Sequence, residues 1–182
     1  MKDAAVRARG VRWAAFAVAV LVLAADQASK SLVLAAGPRP GGSGLVSVRL
    51  VRNTGASLGL EAGHPLLVVL VAVVIIAVVA VLLVRTRGKA AALCLAAVLG
   101  GALGNLADRL FRAPGLGRGA VVDWIHVSFY PPTFNLADLA IRVGAVGAVI
   151  AMLGAGPRAA TWRGRRSGGL DPLTPRDNQA DA

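Results

Sequence analysis

Residues 66–84 carry no charged side chain, and their centre reads VLVAVVIIAVVAVLL. A helix needs about 20 apolar residues to cross the hydrocarbon of a bilayer. Within lipid the backbone must satisfy its own hydrogen bonds, so a helix is the fold this run can take. Three weaker runs share the character: 13–36, 90–110 and 134–155. The first reads as one helix of about 24 residues, roughly 36 Å long. With 56% hydrophobic residues and only 16% charged, the chain has more apolar surface than a soluble domain of 182 residues can hide. The expected fold is an all-α membrane protein with four transmembrane helices.

The basic residues orient these spans. Lys2, Arg7, Arg9 and Arg12 lie in the segment 1–12, Arg85, Arg87 and Lys89 in the link 85–89, and Arg158, Arg163, Arg165, Arg166 and Arg176 in the tail 156–182. With four spans all three segments share one side, and the positive-inside rule makes that side the cytoplasm. Both termini are then expected on the cytoplasmic side. The net charge of +11 is explained by orientation, and no nucleic-acid partner is expected. The polar tail is expected to be disordered. The start of the chain also resembles a cleavable secretory signal, with small residues at Ala24 and Ala25. Cleavage there would leave three spans and split the basic segments, so a retained span is favoured.

The segments 37–65 and 111–133 are left as extracytoplasmic loops. Leu45–Arg52 is rich in β-branched residues and partly alternating, so a small β-containing loop domain is expected. One cysteine, Cys94, and two histidines, His64 and His126, exclude an internal disulfide framework and make a metal site unexpected. No cofactor is expected.

Ionisable groups inside spans are costly and are functional candidates by default. They gather near the outer ends of the spans. Asp26 and Lys30 lie four apart on one helical face, as a mutually neutralising pair or as the anchor of a site. Gly101, Asn105 and Arg109 form one stripe, with Asp108 a turn above Asn105. Close packing at glycine and a snorkelling arginine would explain that stripe, and so would a functional surface. In Arg-Asn-Thr-Gly (52–55), Asn53 and Gly55 build a turn or hold a substrate backbone. Asp123 follows a Gly-rich loop, and Asp138 lies a turn into the fourth span, three residues after Asn135. Each aspartate alone has a plain explanation, a solvated loop residue or a helix-start charge. Facing each other in a low dielectric, they would share a proton and could work as acid and base.

The order of these motifs resembles bacterial lipoprotein signal peptidase, also called signal peptidase II. It comprises Asp-x-x-x-Lys (26–30), Arg-Asn-x-Gly (52–55), GGALGNLADR (100–109), Val-x-Asp-Trp (121–124) and FNLAD (134–138). The resemblance implies an intramembrane aspartic endopeptidase that removes signal peptides from diacylglyceryl-modified prolipoproteins, just before the lipidated cysteine. It makes Asp123 and Asp138 the catalytic pair, and Asn53, Gly101, Asn105, Arg109 and Asn135 the residues lining the site. Asp26, Lys30, Gly55 and Asp108 are supporting. It implies a bacterial inner membrane, lipid-modified prolipoproteins and membrane lipids as partners, and globomycin as the usual inhibitor; a monomer is expected.

The chain departs from the family pattern in four places. Ser57 and Leu58 stand where an aromatic is common, Trp124 replaces a phenylalanine, and the loop before Asp123 is longer. Arg142 lies one turn deeper than Asp138, where an apolar residue is expected. It would snorkel outward, or pair with Asp138 or Asp108. The alternative function is a small proton-coupled transporter using Asp26, Asp108, Asp138 and Arg142 as a relay. A non-catalytic assembly factor would leave the paired aspartates unexplained.

Overall fold

The computed structural model describes residues 2–37, 44–55 and 65–154. Four helices are long and apolar enough to span a membrane. These are α1 (Lys2–Ala36), α2 (Pro65–Arg85), α3 (Lys89–Phe111) and α4 (Leu136–Gly154). Three strands, β1 (Val46–Asn53), β2 (Val121–Val127) and β3 (Tyr130–Phe134), form one antiparallel sheet in the order β1-β2-β3. The all-α membrane architecture with a small β-containing part is therefore the observed one.

The helices are packed by small residues. Ala15, Ala19, Ala91, Ala92, Ala96, Ala137 and Ala148 are buried, while Leu66, Leu70, Val74, Val143 and Leu153 point outward. Lipid tails are as apolar as leucine, so burial of large side chains gives helices no reason to associate. Close backbone approach and polar contacts do.

The central element is α3, which packs against α1, α2 and α4. Two stripes with a spacing of four run along it. Gly100, Gly104 and Asp108 meet Ala19, Asp26 and Lys30 of α1. Gly101 and Asn105 meet Ala137 and Asp138 of α4. A β-carbon on Gly101 would lie 2.6 Å from the Ala137 carbonyl oxygen. From α4, Gly144 and Gly147 close on Cys94 of α3.

The segment 111–133, expected as a loop, contains the hairpin of β2 and β3. Phe134 ends β3 rather than opening the fourth span, and α4 begins at Leu136. The sequence Tyr-Pro-Pro-Thr-Phe suits the sheet edge it occupies, because proline has no N–H to give a second neighbour. Before β2, the Gly-rich loop folds back over the end of α3, where the Gly119 N–H donates to the Arg109 carbonyl at 3.0 Å. A β-carbon on Gly119 would meet the Arg112 carbonyl oxygen at 2.7 Å, so glycine permits this return. The tail residues 156–182, expected to be disordered, and Ser57 and Leu58 lie outside the described residues.

Gly144→Ala is expected to lower the unfolding midpoint in detergent by an amount equivalent to about 1–3 kcal/mol, the usual cost of overpacking. Its β-carbon would sit 2.7 Å from the Cys94 carbonyl oxygen. Gly10→Ala meets nothing within 4 Å and should be neutral or stabilising, because alanine favours helix. Equal midpoints for the two variants would contradict this packing.

Candidate active site

The ends of α1, α3 and α4 that adjoin the sheet share one buried polar cluster. Lys30, Asn135, Asp26, Asp108 and Asp123 are the largest fully buried side chains in the described structure. The Lys30 ammonium uses all three of its donors. It reaches Asp26 Oδ2 at 2.8 Å, Asp108 Oδ2 at 2.8 Å and Asn105 Oδ1 at 3.0 Å.

Each carboxylate then holds a second element. Asp26 Oδ1 accepts from the Ala137 N–H at 3.0 Å, in the first turn of α4. That turn has backbone donors with no helical acceptor, and its dipole favours an anion. Asp108 Oδ2 accepts from the Val122 N–H at 3.1 Å, next to Asp123 on β2. Two residues that the motif reading passed over complete the shell. Arg112 Nε donates to Asp108 Oδ1 at 2.6 Å, and Gln27 Nε2 donates to the same oxygen at 3.1 Å and to the Gly104 carbonyl at 3.0 Å. The spacing of four between Asp108 and Arg112 was a visible helical pair. Gln27 gave no signal of its own.

Above this shell lie Asp123 and Asp138, tied by three asparagines. Asn135 caps α4, its Oδ1 accepting from the Asp138 N–H at 2.9 Å. The Asp138 carboxylate returns a longer contact from the Asn135 N–H at 3.4 Å, a reciprocal cap of the capping-box kind. The cap points Asn135 Nδ2 at Asp123 Oδ1, 2.6 Å away, with Asn105 Oδ1 at 3.2 Å. Asn105 is oriented by Lys30 in the same manner, so its Nδ2 donates to Asp138 Oδ1 at 2.8 Å. Asn53 accepts from the Gly55 N–H at 3.1 Å and donates to Asp123 Oδ2 at 3.0 Å. In each asparagine, the bond made by the oxygen decides which way the donor faces.

The sequence-selected residues therefore converge, in three kinds of position. Asp123, Asp138, Asn53, Asn105 and Asn135 form the inner cluster. Asp26, Lys30 and Asp108 lie beneath it. Arg109 is buried, and its Nη2 donates to the Gly55 carbonyl at 2.8 Å, fastening the end of β1 to α3. Gly101 lies inside the α3–α4 interface. Arg142 has no carboxylate within ion-pair distance among the described residues. Its guanidinium instead lies over the rings of Tyr130 and Phe134. Asp138 and Asp108 are thus engaged by other partners.

Asp123 is buried on β2, outside the spans, and Asp138 is partly exposed. Burial, reinforced by the nearby charge of Asp138, pushes the Asp123 carboxyl up to about 6 against the bonds from Asn53 and Asn135.

Four candidate spans, with one buried and one partly exposed carboxylate joined by asparagines beside a small sheet, are the layout of a multi-pass membrane enzyme. A family model described as signal peptidase (SPase) II matches residues 18–154. A lipoprotein signal peptidase of Rhodococcus jostii (strain RHA1) is 43% identical over 143 residues, 76% of this chain and 71% of that protein. One from Leifsonia xyli subsp. xyli (strain CTCB07) is 38% identical over 128 residues, 68% of this chain and 59% of that protein. A solved bacterial membrane enzyme, determined by the in meso method at 2.3 Å resolution, shares the fold with a TM-score of 0.65 at 22% identity. The match covers 86% of this chain and 94% of that one. The chain belongs to the signal peptidase II family of aspartic membrane peptidases. A transporter finds no support in these likenesses.

Lys30→Met leaves two buried carboxylates without their shared cation and is expected to cost about 3–5 kcal/mol, read as a lowered unfolding midpoint. Arg112→Met should cost clearly less, since its side chain is 22% exposed and Asp108 keeps Lys30. The reverse order would show that Lys30 is not the centre of the cluster.

Proposed function

We propose that this protein removes signal peptides from diacylglyceryl-modified prolipoproteins, cutting just before the lipidated cysteine, with Asp123 and Asp138 as the catalytic pair. The observation that carries this reading is the convergence of both carboxylates on Asn135, which binds one through its side chain and the other through its backbone. Family membership supplies the substrate class.

The chemistry follows from the asymmetry of the pair. Asp138 stands partly exposed, whereas Asp123 is enclosed. It takes a proton from a water molecule as the oxygen attacks the carbonyl carbon before the cysteine. Asp123 holds the shared proton and gives it to the carbonyl oxygen. Collapse of the tetrahedral intermediate breaks the C–N bond as Asp138 gives its proton to the leaving amine of the cysteine, and a hydroxyl proton of the intermediate returns to Asp123. The signal peptide leaves as a carboxylic acid. Asn53 and Asn105 hold the carboxylates in place. Arg109 secures the Asn53–Gly55 turn beside the substrate path.

The membrane orientation belongs to the same proposal. Arg9, Arg12, Arg85, Arg87 and Lys89 lie at the helix ends opposite the sheet. By the positive-inside rule those ends are cytoplasmic, so the sheet and the site face outward. The substrate enters laterally with its acyl chains in lipid. The enzyme acts as a monomer, and globomycin is its expected inhibitor.

Purified protein with a diacylglyceryl prolipoprotein peptide tests the pair. Asp123→Asn and Asp138→Asn should each lower cleavage by at least about 10²-fold, as expected for loss of an acid or base. Near-normal cleavage by either variant would refute the assignment. The raised Asp123 carboxyl sets the sign of the pH dependence. The proton is present below about 6 and lost above it, so kcat/KM should fall as pH rises through that region, with an apparent pKa belonging to the pair. A flat profile from about pH 5 to 8 would contradict proton sharing.

A further inference from the structure

Arg142 is the charge in α4 that the peptidase chemistry does not use. It lies six residues after Leu136, roughly 9 Å along the helix, on a face exposed to lipid. Leu139, Val143 and Val146 around it are all exposed. An arginine at such a depth is costly unless it reaches the interface or finds an anion. Side chains on a helix lean toward its N-terminus, which here adjoins the sheet. The guanidinium accordingly lies 5.8 Å from the centre of the Tyr130 ring and 5.6 Å from that of Phe134. The two rings meet edge to face at 6.1 Å and make a ledge on β3.

A cation held over the two rings gains from their faces, but the rings satisfy none of its N–H donors. Those donors lie in the guanidinium plane, in the fork that matches two oxygens of a phosphodiester. No carboxylate among the described residues neutralises the charge within 4 Å. The apolar surface below it suits acyl chains, and the leaflet bordering the sheet supplies phosphate at this height.

We propose that Arg142, Tyr130 and Phe134 form a headgroup site for an anionic phospholipid, whose acyl chains lie along Leu139, Val143 and Val146. Binding itself does not depend on the peptidase assignment; which leaflet supplies the lipid follows from the orientation proposed above. The aromatic ledge holds the cation at the membrane surface, and the lipid supplies its counter-charge.

The test is native mass spectrometry of the full chain released from detergent with added phosphatidylglycerol, phosphatidylcholine or inorganic phosphate. Wild type should retain phosphatidylglycerol about fivefold more tightly than R142Q, the effect of one basic residue at an anionic interface. Tyr130→Leu should weaken retention while keeping the charge. Arg118→Gln, which removes an exposed cation elsewhere on the sheet side, should match wild type. R142Q should still cleave the lipopeptide, which separates loss of the lipid site from loss of the peptidase fold. Equal retention by R142Q and wild type would overturn the proposal. So would an equal loss in Arg118→Gln, which would mean unspecific charge, or displacement of the lipid by inorganic phosphate at matched concentration, which would mean a soluble-anion site.

Discussion

One buried ammonium, that of Lys30, holds the parts on which the remaining structure depends. An ammonium has three donors and tolerates burial only when all are used and its charge is matched. Here two go to Asp26 and Asp108 and the third goes to Asn105. Those carboxylates in turn accept from the Ala137 and Val122 N–H groups, which fix the starts of α4 and β2. The two elements carrying Asp138 and Asp123 are thereby referred to a single point on α1. Arg112 supplies the second positive charge, so that two carboxylates face two cations.

This arrangement needs helices that approach more closely than ordinary side chains allow. Gly104 lies against the Asp26 carboxylate, where a β-carbon would come within 2.6 Å of Oδ2. On the adjoining stripe, Gly101 admits the Ala137 carbonyl. The 3.6-residue period lets one helix present a glycine and a polar group to each of two neighbours. Small residues thus serve the chemistry indirectly, by letting polar groups reach one another out of lipid.

The asparagines convert this scaffold into a site. A carboxylate can accept from any donor, whereas an amide must be told which end is which. The cap of α4 tells Asn135, the ammonium tells Asn105, and the Gly55 N–H tells Asn53. Only then do three amide donors converge on two carboxylates. Asp123 is enclosed and Asp138 is partly open, so similar side chains meet different surroundings.

The sequence by itself determined the spans, because a bilayer demands long apolar helices and the runs at 66–84 and its three companions supply them. It also marked the candidate site residues, because charges such as Asp26, Lys30 and Asp108 are costly at that depth. It did not reveal the β2–β3 hairpin, whose short apolar strands and paired prolines lack a clear alternation, nor the part played by Gln27. For Gly101 the sequence left packing and function open, and for Arg142 it left snorkelling or a carboxylate partner, with no sign of the rings of Tyr130 and Phe134. Only the tertiary structure decided these two places, because each depends on what lies opposite: the Ala137 carbonyl in one case, two rings on a sheet edge in the other. Periodicity states which residues share a face, but the identity of the facing element is a property of the folded chain.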